Sequence, residues 1–189
     1  EIAVLFYDNK SCIDMGSYLH LLNIPYYTKK NYNLFDDILA KQLLQILKYI
    51  ACERTNAYSG DSLLFEILHF NWFGLKPLEI AQLSVSAAKT QYSENKISLR
   101  QMLVAKANEP AKDLFATTAS SQLKQASIVI ENLIAAAANE TVLNIFHQII
   151  SSTGLLQIVM NSANKHWYIQ IIKGLVQFIE TSVLTEILF

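Results

Sequence analysis

The first thirty residues constrain the fold most, because their pattern changes from strand to helix and back to strand. The chain opens with an apolar, β-rich run over residues 2–7, Ile-Ala-Val-Leu-Phe-Tyr. A helical pattern over residues 11–22 then leads to Pro25, which fixes its own φ and keeps Ile24 extended. A second strand is therefore expected over residues 26–30. Strand, helix and strand in so short a stretch predict a small α/β unit.

The rest of the chain has apolar residues at intervals of three and four, the spacing of an amphipathic helix. The clearest example covers residues 34–50, and Pro77 suits the first turn of a helix over residues 78–91. Ser98 is a candidate cap for a short helix, and three further apolar stripes follow Ser120. We therefore predict a mainly α protein: a small strand-helix-strand portion at the N-terminus, followed by a helical bundle lobe.

A polar stretch over residues 53–60, bearing Gly and Ser, is typical of a boundary between subdomains. We predict two parts, residues 1–53 and residues 54–189, with few contacts crossing between them. The abrupt change from a single α/β unit to continuous helix is what a piece of a longer protein would give. A proportion of 52% hydrophobic residues also predicts that some surface faces missing partner domains.

Composition and cysteine usage point to an intracellular protein without a metal centre. Cys12 and Cys52 follow no metal-ligand spacing, so free thiols in a reducing compartment are expected rather than a disulfide. The start of the chain has no basic-then-apolar leader, and no run approaches the ~18 apolar residues of a membrane span. We expect a cytoplasmic protein with no membrane partner and no metal site.

Charge is unevenly spread along the chain. The formal net charge is −1, which argues against a wholly basic nucleic-acid binder. Residues 76–124, however, carry seven basic against four acidic residues, a net charge of +3, whereas the segments on either side are each at −2. Any DNA binding by this segment is therefore predicted to be weak and strongly dependent on salt.

Several segments, taken in order, resemble the C-terminal motor region of UvrD/Rep-type superfamily 1 DNA helicases. Four of them resemble motor subdomain 2A: residues 1–6, residues 22–26 (Leu-Asn-Ile-Pro-Tyr), the pair Leu34 and Phe35, and residues 42–50. Residues 64–76 look like the turn that opens the inserted 2B subdomain, and residues 145–155 look like a later 2B helix with its glycine-containing end. The resemblance covers nearly the whole chain.

This resemblance implies that residues 1–53 are part of 2A and that residues 54–189 are a 2B-like subdomain. The parent would be an ATP-dependent 3′-to-5′ DNA helicase, a hydrolase of the kind used in DNA repair, with ATP and Mg²⁺ as its cofactors. Its partners would be a junction of single-stranded and duplex DNA and the remaining helicase subdomains. The phosphate-binding Walker A loop and the magnesium carboxylate are absent here, so no catalytic or cofactor-binding residue is assigned and the segment alone is expected to be inactive.

The chain departs from the family pattern at two places. Tyr7 and Ile13 stand at the positions that match the arginines of motif IV, and no arginine precedes Arg54. The 2B turn has one glycine, Gly74, where many relatives have two around an apolar residue. Gly74 can still turn tightly, and the helix that begins near Pro77 points its N-terminus toward an anion.

The candidate DNA-binding residues are Gly74 and Lys76 at this turn, with Lys89 further along the same helix. A purely structural turn is the competing interpretation. At the level of the whole chain there are also two hypotheses: the helicase module, and a helical protein-interaction module from an inactivated helicase-like protein. An upstream Walker A loop and a downstream motor motif bearing Gln and Arg would favour the first.

Overall fold

The computed structural model describes residues 2–26, 33–90, 96–109 and 120–188. Nine α-helices lie in these residues: α1 (Asn9–Leu21), α2 (Ile38–Thr55), α3 (Asp61–Leu68), α4 (Pro77–Lys89), α5 (Leu99–Asn108), α6 (Ser121–Ala136), α7 (Val142–Ser152), α8 (Leu155–Asn161) and α9 (Lys165–Leu188). The contacts divide the chain into two units, Glu1–Asn33 and Leu34–Phe189. The mainly helical fold and the helical bundle are confirmed.

The first unit contains α1 and no strand in its described residues. Asp8 begins the helix, because its carboxylate accepts hydrogen bonds from the Ser11 backbone N–H at 2.7 Å and from the Ser11 hydroxyl at 3.0 Å. The strand predicted over residues 2–7 is wrong: this run is irregular, and Ile2 and Leu5 are almost fully exposed. A β-rich run becomes a strand only when a neighbouring strand completes its backbone hydrogen bonds, and no described residue does so.

The second predicted strand gives a different outcome. Tyr26 is irregular, and residues 27–30 lie outside the described residues. The strand-helix-strand portion of the predicted fold class is therefore not seen where the structure can be described, and only its helix is found.

Helix α2 opens the second unit. The Asp37 side chain caps it by accepting a hydrogen bond from the Leu39 N–H at 2.8 Å. Its buried face packs against α3, α6 and α9 and consists of Leu39, Ala40, Leu43, Ile46, Tyr49, Ile50 and Glu53. The expected scarcity of contacts across residue 53 is thus wrong, because α2 belongs with the later helices. The division falls after Asn33 and not between residues 53 and 54.

Helices α4 and α5 begin where the sequence indicated. Pro77 is the first residue of α4. Ser98 caps α5 by accepting a hydrogen bond from the Gln101 N–H at 3.1 Å, and the Gln101 side chain accepts one from the Ser98 N–H at 2.9 Å. This reciprocal pair is a capping box, which satisfies two backbone donors at the helix start.

The last four helices complete the bundle. Ser120 caps α6, and the three predicted apolar stripes correspond to α6, α7 and α9. The extra helix, α8, follows Gly154, which has a φ of 81° in the left-handed region. Residues of all four helices are buried: Leu123, Ala126, Ile130, Leu133, Ile145, Phe146, Ile149, Leu155, Val159, Ile171, Leu175 and Ile179.

No single helix in the described residues is long and apolar enough to cross a membrane. Helices α7 and α8 reach that hydropathy only when taken together, and they are bent by 61° where they meet. Phe146, Ile149 and Leu155, three of the large apolar residues of this pair, are buried in the bundle.

Candidate nucleic-acid interface and a buried charge cluster

The turn around Gly74 has the left-handed backbone that a glycine favours. Residues Asn71–Phe73 form a 3₁₀ turn, and Gly74 ends it with a φ of 62° while its N–H donates to the Asn71 carbonyl at 3.2 Å. Phe70 and Phe73 are buried, and the Phe70 ring meets the Trp72 ring edge to face. Phe70 and Phe73 therefore anchor the turn in the core.

Lys76 lies next to this turn and is exposed, immediately before the first residue of α4. Its backbone N–H donates to Oε2 of Glu79 at 3.3 Å. A carboxylate near a helix N-terminus interacts favourably with the helix dipole and with the unsatisfied backbone N–H groups there. Glu79 therefore occupies the place to which a DNA phosphate would be attracted. Its negative charge partly cancels the positive charge of Lys76.

Lys89 does not join the other two candidates. It is exposed in the last turn of α4, whereas Lys76 precedes the first turn of the same helix. At a rise of 1.5 Å per residue the two Cα atoms are roughly 20 Å apart along the axis. The structure thus brings together Gly74 and Lys76, and it places Lys89 at the opposite end of the helix.

Arg100, one of the basic residues of the segment 76–124, belongs to a charge cluster that is buried at Glu53 and partly exposed at Glu131. Its Nε and Nη2 donate to the two carboxylate oxygens of Glu131, both at 2.7 Å, and its Nη1 donates to Oε2 of Glu53 at 2.8 Å. Lys106 likewise pairs with Glu109 at 2.6 Å. Since Arg100 is already paired with two carboxylates, less of the positive charge of residues 76–124 is available to DNA than the sequence count implied.

Glu53 is the innermost member of this cluster, and its side chain has no exposed surface. Beyond its bond to Arg100, it accepts hydrogen bonds from the N–H of Tyr58 at 3.0 Å and of Gly60 at 3.1 Å. The turn between α2 and α3 is thereby bound to α5 and α6. The Arg100 guanidinium also lies over the Tyr58 ring, 5.1 Å from its centroid.

The cluster was missed at the level of sequence, although one signal was present. Glu53 continues the apolar spacing of Leu43, Ile46 and Ile50, so a charged residue falls on the buried face of α2. A charge at such a position requires a partner, because an unpaired buried carboxylate is costly. Nothing in the local pattern identifies that partner as Arg100.

Tyr49 lies beside the cluster and is buried, and its hydroxyl has no hydrogen-bond partner among the described residues. Burial, followed by the nearby Glu53 carboxylate, raises the pKa of Tyr49 well above its ordinary value of 10.0. The neutral phenol is therefore strongly favoured in the folded protein.

We predict that Tyr49→Phe leaves the protein equally stable or about 1 kcal/mol more stable at pH 7, because a buried hydroxyl without a partner is removed. The folded pKa of Tyr49 is raised, so its contribution to stability is full below pH 10 and declines as the pH rises further. Above pH 10 the free energy of unfolding of Tyr49→Phe should rise relative to that of the wild type by up to about 1.4 kcal/mol per pH unit. Urea unfolding at pH 7 and pH 11 measures this.

The control for this prediction is Tyr58→Phe, which removes the hydroxyl of a half-exposed tyrosine in the same cluster. At pH 7 it should leave the free energy of unfolding nearly unchanged, because water reaches this hydroxyl in the folded chain as well as in the unfolded chain. If the free energies of unfolding of Tyr49→Phe and the wild type depended equally on pH, the raised pKa of Tyr49 would be contradicted.

Two observations on the described residues concern the nucleotide and metal positions of the family resemblance. Tyr7, at a position that matches a motif IV arginine, is fully exposed and uncharged, and the side chain of residue 13 lies outside the description. The part of the chain that is described also holds no group of three His, Cys, Asp or Glu side chains suited to a metal ion. No catalytic step is derived from these residues.

Comparison with known families gives no match: no protein-family model fits the chain. No curated protein is significantly similar to it either.

Proposed function

We propose that the chain is part of an ATP-dependent 3′-to-5′ DNA helicase. In this proposal the sequence of residues 1–53 corresponds to part of motor subdomain 2A, although its helix α2 packs with the later helices. Residues 54–189 correspond to a 2B-like module that contacts duplex DNA and regulates the motor. ATP and Mg²⁺ would bind to other parts of the parent protein. The proposal rests on the ordered resemblance of the sequence segments and on the helical architecture of the 2B-like part.

The observation that carries the DNA contact is the turn at Gly74. A left-handed glycine, an exposed lysine and a proline-initiated helix follow one another within four residues, from Gly74 to Pro77. Such a turn places the positive end of the α4 dipole next to an exposed lysine, and this combination suits a phosphate of the DNA backbone. The contact would be independent of base sequence.

We predict that Lys76→Ala weakens binding to a duplex with a 3′ single-stranded tail severalfold at low salt. It should also reduce the slope of log K against log salt concentration by about 1, because one phosphate contact is lost. The melting temperature should barely change, since Lys76 is exposed. Fluorescence anisotropy across a salt series measures both quantities.

Glu79 and Lys89 supply the matched variants for this experiment. Glu79→Gln should strengthen binding, because it removes a negative charge beside the proposed phosphate while keeping an oxygen that can accept from the Lys76 N–H. Lys89→Ala, at the far end of α4, should have a smaller effect than Lys76→Ala. If the DNA affinity of all three variants and of the wild type depended identically on salt, the turn would have a purely structural role.

The second candidate function is a helical protein-interaction module, and the outer face of α4 favours it. Leu78, Ala81, Val85 and Ala88 are exposed at intervals of three and four residues, on the side of the helix away from the buried Ile80 and Leu83. Lys76 and Lys89 flank this apolar stripe. The arrangement suits a partner helix with an apolar face and a carboxylate at each end.

A double substitution separates the two functions. Leu78→Ser with Val85→Ser should leave DNA binding unchanged but abolish binding of a synthetic helix of that design. If DNA binding is absent in the wild type and the synthetic helix binds, the interaction module is the better description. The neighbouring sequence of the parent provides an independent test, since a helicase requires a Walker A loop upstream.

A further inference from the structure

A cavity of about 330 Å³ lies beside the Gly74 turn. It is enclosed between the end of α3 and the start of α4, and all of its lining belongs to the second unit of the chain. Small-molecule sites in proteins have volumes of about 300–1,000 Å³. The size of this cavity therefore suits a single planar ring system and not a longer ligand.

One part of the cavity lining is apolar. Phe70 and Ile80 belong to it and are buried in the core, and Leu75 and Pro77 extend it toward α4. An apolar surface gains free energy when it leaves water for such surroundings. The ligand that fits is therefore one with an apolar face.

The polar part of the lining comes from His69 and Asn71, which are both exposed. Nδ1 of His69 lies 2.7 Å from the carbonyl oxygen of Phe65. A carbonyl oxygen only accepts, so Nδ1 carries the hydrogen, and Nε2 of the neutral ring is an acceptor. The Phe65 ring meets the His69 ring edge to face, with centroids 4.6 Å apart, and this contact helps to fix the imidazole.

Asn71 supplies a second acceptor and a donor. Its backbone carbonyl is used within the turn, whereas its side-chain amide forms no hydrogen bond with another described residue. The polar lining thus offers two acceptors, Nε2 of His69 and Oδ1 of Asn71, and one donor, Nδ2 of Asn71. The edge of adenine carries the complementary set, an amino group with two hydrogens beside the acceptor N7.

A positive charge lies directly beside the cavity. Lys76 is exposed, and in the chain it stands between Leu75 and Pro77, which both line the cavity. Neighbouring Cα atoms are ~3.8 Å apart, so the lysine side chain begins at the rim. In a nucleotide only one sugar separates the base from its phosphate. The turn can therefore hold a base in the cavity while Lys76 contacts the adjoining phosphate.

We propose that this cavity binds an unpaired adenine base of a DNA strand, next to the phosphate that Lys76 contacts. The inference rests on the proposed contact between the Gly74 turn and DNA. The phosphate contact carries no base preference, and the cavity supplies one. A base within a duplex must first be flipped out of its stack, which costs free energy, whereas a base of a single-stranded tail is already unpaired. The turn therefore recognises the junction of duplex and single strand.

Two DNA junctions test the cavity. Both are a duplex with a 3′ single-stranded tail, and the first unpaired nucleotide of the tail carries adenine in one and no base in the other. The whole chain should bind the adenine junction about tenfold more tightly than the abasic one, as measured by fluorescence anisotropy. Asn71→Ala should reduce this ratio to about twofold by weakening only the adenine junction. Its melting temperature should barely change, because Asn71 is exposed.

Asn144→Ala is the matched control, since it removes an exposed amide from α7, outside the cavity. It should leave both affinities unchanged. Lys76→Ala should weaken both junctions equally, because each has the phosphate. Equal affinity of the wild type for the two junctions, with weaker binding by Lys76→Ala, would overturn the cavity site and leave the DNA contact standing. An unchanged ratio in Asn71→Ala would also overturn the cavity site, and absence of all DNA binding would overturn both proposals.

A free nucleotide has the same base and phosphate, so deoxyadenosine monophosphate is the second probe. It lacks the remaining DNA contacts and should compete with the adenine junction only at concentrations far above that of the junction. Displacement at a comparable concentration would make the cavity a site for a free nucleotide, and a DNA strand would then be the wrong occupant.

Discussion

Replacing Arg100 with methionine should lower the free energy of unfolding by about 3–5 kcal/mol, the cost of leaving a buried charge without its partner. The Glu53 side chain has no exposed surface, and Arg100 is its only ion-pair partner among the described residues. For a chain of this size the melting temperature should fall by roughly 6–20 °C. Thermal and urea unfolding of the two proteins measure the difference.

The control for Arg100→Met is Lys106→Met, which breaks the ion pair with Glu109. Both side chains of that pair are more than a third exposed, so the loss should be below about 1 kcal/mol. A second substitution, Glu53→Gln, made in the Arg100→Met background should recover part of the lost stability, because no uncompensated charge then remains in the core. Equal losses for Arg100→Met and Lys106→Met would contradict the buried-charge argument.

Gly60→Ala is expected to destabilise the protein by about 1–3 kcal/mol, through overpacking and without any backbone strain. The φ of Gly60 is −88°, which any residue adopts. An added Cβ would lie 2.7 Å from two ring carbons of Tyr49 and 3.0 Å from Oε1 of Glu53. Tyr49 and Glu53 are both buried, so neither can move aside easily.

A double-mutant cycle with Tyr49→Leu tests this origin of the effect. Leucine lacks the ring carbons that the new Cβ would meet, so Gly60→Ala should cost clearly less in the Tyr49→Leu background. Unfolding in urea gives the four free energies of the cycle. A cost that is the same in both backgrounds would show that Tyr49 does not restrict residue 60.

The sequence alone was sufficient to predict those structural features that depend on residues adjacent in the chain. The start of α4 at Pro77 and the Ser98 cap of α5 follow from local side-chain chemistry, and both are confirmed. The run over residues 2–7 has the composition of a strand, yet strand formation depends on a partner that composition cannot supply. The helical bundle could be predicted from the sequence, whereas the absence of a strand over residues 2–7 could not.

Local composition also misplaced the division of the chain. The polar stretch after residue 53 looked like a linker, but Glu53 and Gly60 in it belong to a buried cluster completed by Arg100, 47 residues after Glu53. In the candidate site, Gly74 has the left-handed backbone conformation that the sequence led us to expect of a glycine in a tight turn. Charge alone groups Lys89 with Lys76, but the two residues lie at opposite ends of α4. The assignments to 2A and 2B and the DNA contact stay predictions.

The geometry of the charge cluster determines the order in which its residues can be replaced during evolution. If Glu53 changes first, to glutamine, Arg100 keeps both of its bonds to Glu131, and the new side chain still has an oxygen for the N–H of Gly60. If Arg100 changes first, the Glu53 carboxylate stays buried without a counter-charge. Descendants of this chain should therefore lose the glutamate before the arginine, and a lineage that retains Glu53 should retain Arg100.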